Sequence, residues 1–201
     1  MQRRGEKTRS HILQAAEECF AQSGYDCTGV AEICRRAGVT KGGFYHHFPS
    51  KQALFLELLE RWLAGLDAQM VATCAGADTV PDALLQMAGM AQQVSQAASG
   101  QISIFLEFWT KAVRDPQVWQ ATIAPYRRYQ AFFSDLIRAG IEEGTLRPVD
   151  PEKTGRVIVS LAVGLVLQGM LDPEGSDWGQ AAEEGVRILL EGIEKRQEVV
   201  E

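Results

Sequence analysis

Thr40, Lys41, Gly42, Gly43, Tyr45, His46 and Lys51 bring a hydroxyl, two ammonium groups, a phenol, an imidazole and two residues without a Cβ into one short stretch. These groups donate to phosphate oxygens and base edges, and the bare positions let a partner reach the backbone. Phe44 and Phe48 lie four apart on one face of a short helix from Thr40 to Phe48. That leaves Lys41, Gly42, Gly43, Tyr45 and His46 on or near the other face. Two glycines cost such a helix about 1 kcal/mol each against alanine, which suggests that something approaches closely there. A base edge fits; the alternative is a helical hairpin whose second helix is merely exposed. By type and position, Thr40, Lys41 and Gly43 would lie against base edges, and Tyr45 and Lys51 against phosphates. Lys51 falls where the next helix starts, so its charge and the free N–H groups both attract an anion. His46 would either join the phosphate contacts or pack between helices.

A helix-turn-helix must hold this face. Thr28 is the expected N-cap of a first short helix, and Val30, Ile33, Cys34 and Ala37 give it one apolar face. Gly38 stands where that helix must end in a left-handed residue, Val39 can plug the angle, and Thr40 can cap the second helix.

The stretch Thr8 to Phe55, about a quarter of the chain, resembles the helix-turn-helix domain of the tetracycline-repressor (TetR) family of bacterial regulators. The resemblance rests on Ile12, Ala15, Ala16 and Phe20, the Gly24-Tyr25 exit, Thr28, the Ala37-Gly38-Val39 turn, Tyr45, Phe48 and Lys51 at fixed spacings. Gly29 departs from it, since a second hydroxyl residue usually follows the threonine, and Cys34 stands in place of an alanine. The resemblance implies DNA contacts at Thr28, Thr40, Lys41, Gly42, Gly43, Tyr45, His46 and Lys51, a body with an effector cavity, and a symmetric dimer.

Charge divides the chain in the same way. Residues 1–51 carry eight Lys and Arg against five Asp and Glu, net +3, while the remainder carries twelve against twenty-one, net −9. A basic head would meet polyphosphate and an acidic body would avoid it. The N-terminus runs into an amphipathic helix instead of an apolar signal core, and the run Val157 to Leu167 falls short of the roughly 20 residues that span a bilayer. A cytoplasmic protein with no membrane partner is expected.

Beyond Lys51 only helical periodicity is found. Helices are expected over Ser50–Thr73, Pro81–Ala98, Gln101–Arg114, Pro116–Glu143, Pro151–Leu171 and Trp178–Arg196, separated by Gly, Asp and Pro breaks. With three in the head the chain is all-α, with about nine helices: residues 1–50 as the DNA-binding domain and 51–201 as the ligand-binding and dimerisation domain. Phe105, Phe108, Trp109, Trp119, Tyr126, Tyr129 and Phe133 form aromatic stripes that are either core or the lining of a site for a small, mostly apolar effector of unknown identity. Gln168 is a polar residue that could orient such a ligand. Val157, Ile158, Leu161 and Leu165, with Gly185, Leu189 and Gly192, make apolar and small-residue surfaces suited to a homodimer interface.

All three histidines lie in the first 51 residues, so the body has no histidine base, and no metal cluster, phosphate loop or nucleophile elbow is apparent. Neither catalysis, nor a cofactor, nor a metal is expected. Of the cysteines, Cys19 and Cys34 read as core, and Cys27 beside Thr28 is a candidate redox sensor. The expectation is a ligand-responsive repressor that binds palindromic double-stranded DNA as a homodimer. The alternatives are a thiol-sensing DNA-binding regulator and a helical ligand-binding module without DNA binding.

Overall fold

A computed structural model describes residues 2–90 and 112–194. Among them are eight helices: α1 (Gln2–Cys27), α2 (Val30–Ala37), α3 (Lys41–His47), α4 (Lys51–Gly76), α5 (Val80–Gly89), α6 (Pro116–Glu143), α7 (Pro151–Leu171) and α8 (Trp178–Ile193). Extended pairing among these residues is limited to one isolated bridge, Leu146 with Glu194. The helix expected over 101–114 falls almost wholly outside the described residues. None of the described helices is long and apolar enough to cross a membrane.

The chain forms two compact units. The first takes in the described residues up to Leu66 and 112–122, so it runs past residue 50 into α4. The reason is visible in α4, whose Leu54, Phe55, Leu59 and Leu63 are buried. Ile12, Leu13, Ala16, Cys19 and Phe20 recur at helical spacing on α1 and supply much of the apolar surface. α1 is not straight: Gly24 takes φ 76° and ψ 164°, a conformation open to glycine, and turns the last residues of the helix. Tyr25 is thereby brought against Phe20 and Phe55, with ring centroids 5.3 and 5.1 Å away. Arg9 pairs through both terminal nitrogens with Glu57, which also receives Arg61 at 3.0 Å.

In the second unit Val80, Leu84, Ile137, Leu146, Ile158, Leu190 and Ile193 form the core. Pro151 opens α7 behind the cap Asp150, and Asp177 caps α8; each carboxylate accepts from two backbone N–H groups. Close approach here depends on missing side chains. A methyl group on Gly155 would stand 2.7 Å from Ser134 Oγ, and one on Gly140 2.6 Å from Leu146 Cδ1.

Candidate nucleic-acid interface

α2 and α3 are joined as the turn residues require. Gly38 adopts φ 66°, and the Val39 N–H reaches back to Cys34 O at 3.0 Å, closing α2 in a Schellman turn. Thr40 caps α3, its Oγ1 accepting from Gly43 N at 3.0 Å. Phe44 and Phe48 are buried and anchor the inner face of α3, with Arg9 stacked 5.1 Å above the Phe48 ring. Lys41, Gly42, Tyr45 and His46 are exposed on the other side, Tyr45 at 54 %, while Gly43 and His47 are half-buried. His46 thus packs against His47 with its ring 5.1 Å away but is not enclosed between helices. The result is an anchored helix offering an ammonium, a phenol, an imidazole and bare backbone outward.

One expectation about the flanks needs correction, and both flanking residues have partners inside the head. Thr28 is not the cap of α2; Gly29 is, with no side-chain bond. The Thr28 hydroxyl is buried and donates to Gly24 O at 2.7 Å and Cys19 O at 3.2 Å, because the bend at Gly24 brings both carbonyls within its reach. In the protomer it ties down the end of α1. Lys51 does similar work: its Nζ donates to Tyr25 O at 2.7 Å and Thr28 O at 2.8 Å and sits 4.3 Å from the centre of the Tyr25 ring. Its charge is directed into the head, at the carbonyl end of α1.

The cysteines divide by burial. Burial pushes the Cys19 and Cys34 thiols up, keeping them protonated. Cys27 is exposed and ends α1, two residues before the α2 cap Gly29.

The aromatic residues singled out in the body are scattered in their environments. Phe105, Phe108 and Trp109 lie outside the described residues. Trp119 is 45 % exposed. Phe133 packs against the core of the second unit, and Tyr126 is half-buried with its hydroxyl accepting from Gln130 Nε2 at 3.0 Å. Tyr129 differs: its hydroxyl is buried beside Asp67 and Arg128, and among the described residues no partner meets it in good hydrogen-bonding geometry. Burial first, and the Asp67 carboxylate second, push its phenol well above the ordinary range, while Asp67 itself pairs with Arg128 at 2.9 Å. Gln168 is exposed and donates to Gly164 O within its own helix, so in the protomer it faces solvent, not an enclosed site.

α7 and α8 show a similar split. Ile158 belongs to the core of the protomer. Gly185 and Leu161 are occupied with each other, a methyl group on Gly185 falling 3.2 Å from the Leu161 side chain, so the missing Cβ there serves packing within one chain. Leu165 and Leu189 are half-buried, and Gly192 is exposed, so that a methyl group added to it would meet nothing within 4 Å. Val157, Leu171 and Ile188 are outward, Ile188 at 71 %. The outward positions follow the geometry of helix faces; the apolar periodicity alone did not separate Val157 from Ile158.

Comparison with known proteins agrees with this geometry. Residues 12–58 match the bacterial regulatory proteins of the tetR family, and residues 81–194 match the C-terminal region of BetI-type transcriptional repressors. The HTH-type transcriptional regulator UidR of Escherichia coli (strain K12) is 26 % identical over 200 residues, covering 96 % of each chain. The A-factor receptor protein of Streptomyces griseus is 29 % identical over 94 % of this chain and 64 % of its own. The fold matches that of a transcriptional regulator from Saccharomonospora viridis in complex with choline, with a TM-score of 0.83 and 22 % identity over 95 % of this chain and 100 % of that one. A head of three helices with an outward recognition face, continued by a body matched over more than half of the sequence, has one reading: the chain belongs to the TetR family of bacterial DNA-binding transcriptional regulators.

Proposed function

We propose that the protein is a ligand-responsive repressor that binds a two-fold-symmetric operator as a homodimer. The observation that carries this is α3 itself, buried on one face through Phe44 and Phe48 and exposing Lys41, Gly42, Tyr45 and His46 on the other. In this reading Thr40, Lys41, Gly42 and Gly43 lie against base edges while Tyr45 and His46 meet phosphates. Lys51 and Thr28 hold the turn that aims them. Val157, Leu171 and Ile188, flanked by Leu161, Leu165, Leu189 and Gly192, form the interface between protomers and set the spacing of two recognition helices.

The effector is small and mostly apolar with one polar group, and it meets the Tyr129 hydroxyl, which is buried beside Asp67 and Arg128 and has no well-aligned hydrogen bond among the described residues. Tyr126 supplies neighbouring aromatic surface on α6. Relatives lend support: one is named as a receptor for A-factor, and one structural neighbour holds choline. The effector releases DNA by favouring a conformer in which the heads are misplaced, so saturating operator must weaken effector binding by the factor by which effector weakens operator binding.

The test is selection from a randomised duplex library with the full-length protein. An inverted repeat should be enriched, and binding should weaken steeply with salt. Enrichment of no sequence would reject the DNA-binding reading, and enrichment of a single unrepeated half-site would reject the dimer.

A further inference from the structure

Gly42 lies on the exposed face of α3, where neither the backbone nor the packing calls for glycine. Among the described residues positive φ occurs at Gly24, Gly38 and Gly144, not here. A methyl group on Gly42 would find nothing nearer than Thr40 Oγ1 at 3.8 Å, an ordinary contact. The contrast with Gly155 is plain, since there the added methyl would strike Ser134 at 2.7 Å. Alanine is the better helix former, so the fold alone would be better served by it at position 42. The notch at position 42 is thus open to a group outside the chain.

The neighbours say which group. Tyr45 and His46 follow Gly42 at i+3 and i+4 and are exposed, and Lys41 precedes it, also exposed. Position 42 is thus a methyl-deep notch in a surface otherwise made of long polar side chains, and its floor is a Cα–H surface. Among the groups that base pairs present in the major groove of B-DNA, the apolar one is the C5 methyl of thymine. We propose that Gly42 is a specificity-determining residue whose bare Cα receives a thymine methyl at one position of each half-site. This rests on the DNA-binding reading above.

The experiment compares the wild-type protein, Gly42→Ala and Gly65→Ala. Gly65 is also exposed, in α4, with open space at its Cβ position, so the second variant gains the same helix propensity away from α3. Each is titrated against the duplex selected by the wild type, against a scrambled duplex, and against selected duplexes in which one thymine at a time is replaced by uracil, which removes only the methyl. Both variants should melt higher than wild type. Gly65→Ala should keep wild-type affinity. Gly42→Ala should lose roughly tenfold or more on the selected duplex, with little change on the scrambled one. One thymine-to-uracil exchange should weaken the wild type by roughly fivefold or more and leave Gly42→Ala unaffected or improved. The inference is overturned if Gly42→Ala retains both affinity and base preference, or if no uracil exchange distinguishes it from wild type. Should the wild type enrich no duplex at all, the DNA-binding reading fails as well; an enriched duplex insensitive to the methyls removes only the role of Gly42.

Discussion

The head and the body use their conspicuous residues in opposite ways. On α3 Lys41, Tyr45 and His46 point outward, the two rings touching Phe44 and His47 of the same helix, and Gly42 makes room for nothing internal. In the body the residues that stand out by type mostly have internal work. Phe133 and Ile158 join the core, and Gly185 admits Leu161. The difference teaches that residue type alone does not mark a partner surface. What marks it is a residue that the protomer leaves facing outward, as with the outer face of α3 and, in the second unit, Ile188.

That contrast can be broken most forcefully at the inner face of α3. Phe44→Ala empties a fully buried site and should cost about 3 to 5 kcal/mol, read as a fall in denaturation midpoint with loss of DNA binding. A protein that stayed near wild-type stability would show that α3 is not anchored as described. Next in size is Ile188→Arg. The residue is exposed in the protomer, so folding should change by no more than about 0.5 kcal/mol. In a dimer interface the buried, unpaired guanidinium should cost on the order of 3 kcal/mol and yield monomers in sedimentation. Persistent dimers would move the interface off α8. Lys51→Met separates holding the turn from contacting DNA: the loss of two charge-assisted bonds to carbonyls should lower stability by about 2 kcal/mol. The salt slope of the DNA affinity should stay unchanged; a slope flattened by about one unit would return Lys51 to the phosphates. Smallest is Thr40→Ala, where removal of the α3 cap should cost about 1 kcal/mol in a thermal melt.

Much of the head is legible in the sequence because its determinants are local. The Gly38 turn, the Thr40 cap and the Phe44/Phe48 face are each set by residues within a few positions, and so are the starts of α6, α7 and α8 behind Asp115, Asp150 and Asp177. Where sequence and structure part, the deciding partner is distant or the choice is between equivalent partners. Thr28 resembles a cap because its neighbours in sequence suggest one, but the bend at Gly24 gives its hydroxyl two carbonyls. Lys51 meets the carbonyls of residues 23 and 26 positions away, which its place at the start of α4 does not disclose. At Gly185 the sequence signals close approach without naming the helix that approaches, and the structure supplies Leu161 of the same chain.

The Arg9–Glu57 pair has a consequence for folding kinetics. It joins positions 48 apart, whereas the Thr28 and Lys51 bonds span 4 to 26 and those of the α2–α3 turn 3 to 5. Closing a longer loop costs more chain entropy, so this pair should form after the short-range contacts have been made. Interactions absent from the transition state act on the rate of unfolding and not on that of folding. The pair should therefore set how long the head stays folded, while the local turn residues set how quickly it forms.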